Sequence, residues 1–327
     1  MSDKQPDDST ATQEYIDISL MILKRFSGRL VFDVFIRRSA THYTKVFQKG
    51  DTVCWNRVET YREKGLRHFC LLAEDFDKYT IMVKYLGRTI AQSSGKFSAA
   101  ETVVVLKETV NSTIQDIVDS GEISEQSVES AANIVTVCVD NLSRDTEVLF
   151  RLIKAMGEKG YLQKHSISTS IFSILLAKAS GINSAPLLQK IALGGFLHDI
   201  GISQLSFMPY EKENFTDKEN EEMERHPIFG REMLEGVKGI SNDVLEIVLQ
   251  HHEKADGSGY PNGNKLSFPP AQIVALANEF SALSLRHPGR DPMKPKDIFE
   301  AFRGRSQEYN ETLLDHFENL IRPNRNR

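Results

Sequence analysis

From Ser98 onward, strand signals vanish and apolar residues recur at three- and four-residue spacing, which commits most of the chain to helix. Val103, Leu106, Val110, Ile114 and Ile117 mark a first helix that Gly121 breaks, and Ser124 to Leu142 carries a second. The pair predicts a helical hairpin over residues 98–144. From Asp145 the chain continues as successive helices, and polar side chains fall on their apolar stripes. His165 lines up with Ser168, Phe172, Leu175 and Ala179. Leu188, Ile191 and Gly195 lead down one face to His198, which Asp199 follows, and Asn278 aligns with Val274, Ser281 and Leu285. Gly194 and Gly195 are poor helix formers, so their presence predicts close packing against another backbone. Ser184 before Pro186, Thr216 ahead of Glu219, and Ser241 read as helix starts. Proline after His226 puts that histidine at a kink or helix start.

One stretch stands out within this pattern. His251 and His252 end an apolar helical run and lead at once into Glu253-Lys254-Ala255-Asp256-Gly257-Ser258-Gly259-Tyr260-Pro261. Adjacent helical positions diverge by about 100°, so one ideal helix does not aim both imidazoles at one ion. A fraying last turn, or two neighbouring ions, relieves that. Gly257 and Gly259 let a ligand approach the main chain.

The first part of the chain differs. Residues 1–14 are polar and acidic and predict a disordered tail. Residues 15–97 predict a small α/β module: a strand at Leu30–Ile36, then Val46-Phe47, a turn at Gln48–Asp51 and Val53–Trp55. A helix at Asn56–Lys64 stopped by Gly65, a strand at Arg67–Leu72 and a helix at Asp75–Tyr85 complete it. His42 and His68 in this module read as surface or packing residues. With 327 residues, two domains each have material for a core. A net charge of −5 argues against general DNA or RNA binding. Cys54, Cys70 and Cys138 form no CxxC and suggest neither a disulfide framework nor a thiolate site. Apolar runs such as Ile18–Leu23 are too short to span a bilayer, and no leader pattern opens the sequence. The expectation is a cytoplasmic protein with reduced thiols.

Five of the nine histidines, His165, His198, His226, His251 and His252, fall where helices converge, and Asp199 joins them. A mixed imidazole and carboxylate shell suits iron, manganese or zinc better than calcium or magnesium. Asp199 is the natural bridge, because one carboxylate can give an oxygen to each of two ions.

These residues carry a resemblance. Phe196-Leu197-His198-Asp199-Ile200-Gly201, then His226-Pro227 with Gly230, then His251 to Pro261, resemble the HD-GYP subgroup of the HD phosphohydrolases over roughly 161–290. That family's members are helical bundles with bimetal or trimetal centres that hydrolyse bacterial cyclic di-GMP. The resemblance implies a mainly α fold with an HD-type helical domain over residues 145–327. It implies two divalent transition-metal ions, iron first, with His165, His198, Asp199 and Asn278 on one and Asp199, His226, His251 and His252 on the other. His198 and Asp199 would be catalytic, holding the metals between which a hydroxide attacks phosphorus. Gly259 and Tyr260 would shape the nucleotide pocket, and Arg286 or Arg290 would pair with phosphate. The N-terminal module would regulate or bind a protein partner, and the hairpin could dimerise.

Departures from the family pattern open a second reading. Ile202 stands where a lysine is usual, Asn278 where an aspartate is usual, and the arginine-rich stretch reads Arg286-His287-Pro288-Gly289-Arg290. Tyr161, in place of a glutamate that marks trimetal members, favours two ions. The alternative is a signalling protein that binds metal and cyclic di-GMP with little or no turnover. A nucleotidase acting on mononucleotides is a third reading, which leaves the Gly257–Pro261 loop without a purpose. The acidic run 211–224 is expected to be a solvated face rather than the wall of an anion site.

Overall fold

A computed structural model describes residues 13–25, 29–65, 69–93, 95–157, 160–265 and 267–321. Most of the expected N-terminal tail, and residues 67 and 68, lie outside them. Two compact units divide the chain at Leu86 and Gly87.

The first unit is a four-stranded antiparallel sheet with helices. In chain order it holds β1 (Tyr15–Ile18), α1 (Leu20–Lys24), β2 (Val34–Arg37), β3 (Tyr43–Phe47), α2 (Trp55–Glu63), β4 (Phe69–Leu72) and the start of α3 (Phe76–Gln92). The strand order is β1-β4-β2-β3, with Tyr15 opposite Leu72, Phe35 opposite Cys70 and Val34 opposite Phe47. β2 and β4, the central pair, are the most apolar strands, as burial on both faces requires. The strand expected at Leu30–Ile36 starts only at Val34. Upstream, Leu30 exchanges backbone hydrogen bonds with the turn instead, donating to Asp51 and accepting from Gly50 at 2.8 Å each. Val53 and Cys54 form no strand, and Trp55 opens α2. Gly65, past the end of α2, has a φ of 78°, as expected for a helix stop.

The second unit is built of helices among its described residues, with one isolated bridge between His287 and Arg290. It contains α4 (Ala99–Ser120), α5 (Glu125–Arg144), α6 (Glu147–Ala155), α7 (Tyr161–Ala179), α8 (Ala185–Leu197), α9 (Asp217–Met223), α10 (His226–Leu234), α11 (Asn242–Gln250), α12 (Pro269–Ser284), α13 (Pro295–Arg303) and α14 (Glu311–Ile321). The expected hairpin forms from α4 and α5. Ser98 and Glu101 make a capping box at its start, and Gly121 closes α4 in the left-handed region. Helix α7 is the central post: it packs against α8 and α12 most extensively, and also against α4, α5, α6 and α14. Its side chains from His165 to Ala177 are buried without interruption, as for a helix surrounded by others. Phe280 meets Phe172 at 5.0 Å and Phe317 at 4.8 Å between ring centroids. Burying each such ring contributes about 1.5–3 kcal/mol, which ties α12 and α14 to α7. The protein is therefore mainly helical, with one small antiparallel sheet. Among the described residues, no helix is long and apolar enough to cross a membrane.

Candidate metal centre

Three helix ends deliver the histidines. His198 follows the last residue of α8, His251 follows the last residue of α11, and His226 opens α10. Each turns its Nδ1 toward a carbonyl oxygen three residues back: His198 to Gly195 at 2.9 Å, His226 to Met223 at 2.6 Å, His251 to Val248 at 2.6 Å. A carbonyl only accepts, so Nδ1 carries a proton and donates, which leaves Nε2 as the ring nitrogen aimed at the centre. His165, inside α7, sets its Nδ1 against the Ser281 hydroxyl of α12 at 3.2 Å.

The Nε2 nitrogens converge. His165 Nε2 lies 3.2 Å from His198 Nε2, and His226 Nε2 lies 3.1 Å from His251 Nε2. Asp199 sits between the pairs. Its Oδ2 is 3.4 Å from His165 Nε2 and 3.3 Å from His198 Nε2. Its Oδ1 is 3.3 Å from His226 Nε2 and 3.7 Å from His251 Nε2. His252 completes the second group, and the buried side chain of Asn278 lies beside His165 and His198. Lone pairs facing each other at such distances repel unless positive charge lies between them. The donor set, imidazole with one shared carboxylate, fits a divalent metal site.

The electrostatics differ from ring to ring. Burial opposes charge on His198, yet the adjacent Asp199 carboxylate holds its imidazole above the ordinary range. Burial lowers His165 and pushes His251 down to about 3, so both are neutral and able to bind a cation. Asp199, despite its own burial, is held well below the carboxylate range by His198, His165 and His226.

Close backbone approach makes this convergence possible. A Cβ on Gly201 would lie 2.1 Å from the His226 carbonyl oxygen and 2.5 Å from the Gly230 nitrogen, so only glycine lets α10 reach the His198-Asp199 turn. Gly195 meets the α7 backbone at Ser170, as its sequence position predicts, while Gly194 faces the side chain of Ile247.

The centre floors a cavity of about 500 Å³, whose lining includes Tyr161, Tyr210, Tyr260, Asn278 and Arg290. Tyr260 stacks on His252 at 4.5 Å between rings, and a Cβ on Gly259 would fall 2.3 Å from the His252 carbonyl oxygen. Arg290 donates through Nη2 to the Ala282 carbonyl oxygen at 2.6 Å, while its buried Nη1 has no hydrogen-bond partner. Arg286 is exposed, pairs with Asp291 at 3.0 Å and lines an adjoining outer cavity that shares Tyr161, Tyr210, His287 and Arg290 with the first. Glu213, from the acidic run, lines the metal-side cavity, while α9 itself is partly to fully exposed. Ile202 is buried at 3% exposure and offers no cation.

Sequence reasoning missed three contributors. Tyr210 donates its hydroxyl to Asp199 Oδ2 at 3.1 Å. Glu253 accepts from the backbone amides of Asn262 and Asn264 at 2.8 and 2.7 Å, fastening the glycine loop. Ser281 orients His165. The available signals were an acidic residue directly after the histidine pair, and a serine one turn beyond Asn278. Tyr210 follows Pro209 in a stretch without periodicity and gave no signal.

Residues 158–313 match the HD domain family. The chain is 31% identical over 134 residues to the cyclic di-GMP phosphodiesterase PA4108 of Pseudomonas aeruginosa, covering 41% of this chain and 32% of that protein. It is 32% identical over 157 residues to the cyclic di-GMP phosphodiesterase response regulator RpfG of Xanthomonas campestris pv. campestris, covering 45% and 40%. It is 33% identical over 146 residues to the 3'3'-cGAMP-specific phosphodiesterase 1 of Vibrio cholerae, covering 43% and 33%. The matches thus span between 32% and 40% of the length of these curated relatives. Among solved structures, Bd1817, an HDG"Y"P protein from Bdellovibrio bacteriovorus, shares the fold with a TM-score of 0.63 at 18% identity, covering 94% of this chain and 99% of that one. The stretch 158–313 carries this likeness to the HD domain family. Within that stretch, the His-Asp series and the Gly259-Tyr260-Pro261 loop resemble the HD-GYP pattern.

Proposed function

We propose that this protein is a metal-dependent phosphodiesterase that hydrolyses cyclic di-GMP to the linear dinucleotide or GMP. The observation that carries the reading is Asp199, whose two oxygens face two separate histidine pairs at the floor of one cavity. His165, His198, Asp199 and Asn278 would hold one ion, and Asp199, His226, His251 and His252 the other, with iron first among iron, manganese and zinc. Bound divalent ions supply the Lewis acidity that phosphodiester cleavage needs. The chain's own part is to fix the imidazoles in one tautomer, exclude water by burial, and offer the substrate a shaped wall. Gly259 and Tyr260 form that wall, and the unpartnered Nη1 of Arg290 suits a phosphate oxygen. The sheet-bearing unit contributes none of these residues, which supports a regulatory or partner-binding role for it.

The experiment is turnover by the full chain loaded with iron under reducing conditions, manganese or zinc, with products separated chromatographically. Cyclic di-GMP and 3'3'-cGAMP are compared, with Asp199→Asn as the control. Linear dinucleotide or GMP is the expected product, and no turnover of cyclic di-GMP with any metal sinks the reading. Ile202 and Asn278 favour a second one, a receptor that binds the nucleotide but hydrolyses it slowly. A binding titration run beside the turnover assay separates the two.

A further inference from the structure

Tyr210 reaches the centre from outside the histidine series. It lies in the 3-10 turn Pro209–Glu211, on the link between the His198-Asp199 turn and α9, with Pro209 buried beneath it. Its hydroxyl is 3.1 Å from Asp199 Oδ2. Its ring packs at 4.6 Å against Tyr161, which stacks at 5.5 Å on His165 and meets His287 edge-on at 5.5 Å. The link is anchored on its far side, where Lys212 pairs with Glu219 in the first turn of α9.

The carbonyl-bound histidines aim Nε2 at Asp199, and as ligands to a cation these nitrogens have no proton to give it. A phenol is a neutral donor that neither competes with those nitrogens for a cation nor adds charge. A carboxylate's terminal torsion is broad and roughly two-fold, so without a fixed donor Asp199 is free to rotate both oxygens away from the histidine pairs. We infer that Tyr210 is a positioning residue for the metal centre, holding Asp199 in the orientation that gives one oxygen to each histidine pair. The inference rests on the metal-centre reading proposed above. The His165–His198 side should feel the loss most, since Tyr210 holds the oxygen on that side and Asn278 is neutral.

The test is metal affinity of the full chain, measured with zinc alone by competition against a chromophoric chelator. Wild type is compared with Tyr210→Phe, which keeps the ring, and Tyr210→Leu, which removes it; melting of the metal-free proteins is followed in parallel. Removing a partner that orients a ligand typically weakens metal binding about 10–100-fold. The expected result is a loss of that order in Tyr210→Phe, with the metal-free melting temperature unchanged. Equal affinity in wild type and Tyr210→Phe overturns the inference and leaves the metal centre standing. So does an affinity loss confined to Tyr210→Leu together with a lowered melting temperature, which marks a packing role. A ferric wild-type sample with a visible tyrosinate charge-transfer band, absent in Tyr210→Phe, overturns it in favour of direct coordination. Failure of wild type to retain zinc, and then iron or manganese in the same competition, overturns both readings.

Discussion

Glu253 offers a clean test of how the glycine loop is held. The residue is 4% exposed, and each of its carboxylate oxygens accepts one loop amide, Asn262 through Oε1 and Asn264 through Oε2. A hydrogen bond to a charged group contributes about 1.5–3 kcal/mol, so the two together hold the loop by about 3–6 kcal/mol. Glu253→Ala removes both acceptors and leaves the two amides to water. Tyr260, stacked on His252, belongs to the same loop. Even the lower figure is about a hundredfold in local opening, at about 1.36 kcal/mol per decade. The assay is native-state hydrogen exchange of the Asn262 and Asn264 amides, with amides in the middle of α7 as an internal reference. Exchange at the two loop amides should accelerate about a hundredfold or more in Glu253→Ala while α7 stays protected. Glu253→Gln keeps one oxygen but turns an NH2 toward the other amide, so it should accelerate exchange chiefly at one of the two. Unchanged protection in Glu253→Ala would refute the reasoning, and loss of protection throughout α7 would show a global effect instead.

Three further outcomes follow from the geometry. Asn278→Asp should tighten retention of one ion, because a charge replaces a neutral amide of the same shape beside His165 and His198, whereas Asp199→Asn should lose both; metal content after dialysis against a weak chelator decides, and unchanged retention in Asn278→Asp refutes the ligand role. Gly201→Ala should destabilise the protein by about 3 kcal/mol or more, since its methyl meets backbone atoms on two residues at 2.1 and 2.5 Å; a wild-type urea midpoint would contradict this. Burial pushes the thiols of Cys70 and Cys138 up to about 11 and about 12, so thiolate is scarce there at pH 8. A thiol reagent at that pH should therefore label exposed Cys54 alone in the native protein and all three after denaturation, and rapid native labelling of Cys138 would count against the packing of α5.

The helical part was legible because its information is local. Period, Gly121 and the serine and threonine caps mark helix ends within a few residues of themselves, and the histidines lie on stripes that period defines. Legibility failed where structure depends on distant partners. Ile18–Leu23 is one apolar run to the eye, yet Ile18 ends β1 against Phe69 while Leu20 opens α1. Leu30 is buried by bonds to a turn twenty residues away rather than by a ladder. Arg286 and Arg290 are close in sequence and alike in charge, but Arg286 pairs with Asp291 in the outer cavity, whereas Arg290 also lines the metal-side one. Tyr210 illustrates the limit most plainly: nothing in its neighbours announces that its hydroxyl ends beside Asp199.

The carbonyl partners of His198, His226 and His251 have a consequence for descent. In each case the imidazole satisfies the backbone oxygen three residues back, at 2.6–2.9 Å, near the end of a helix whose last carbonyls would otherwise go unpaired. Replacing such a histidine by an apolar residue strands a buried acceptor, at about 1–3 kcal/mol, whether or not chemistry is at stake. A lineage that abandoned catalysis would therefore still be selected to retain these three rings for folding. The histidines can outlast the reaction they serve, and their persistence in a descendant testifies to its architecture before it testifies to its activity.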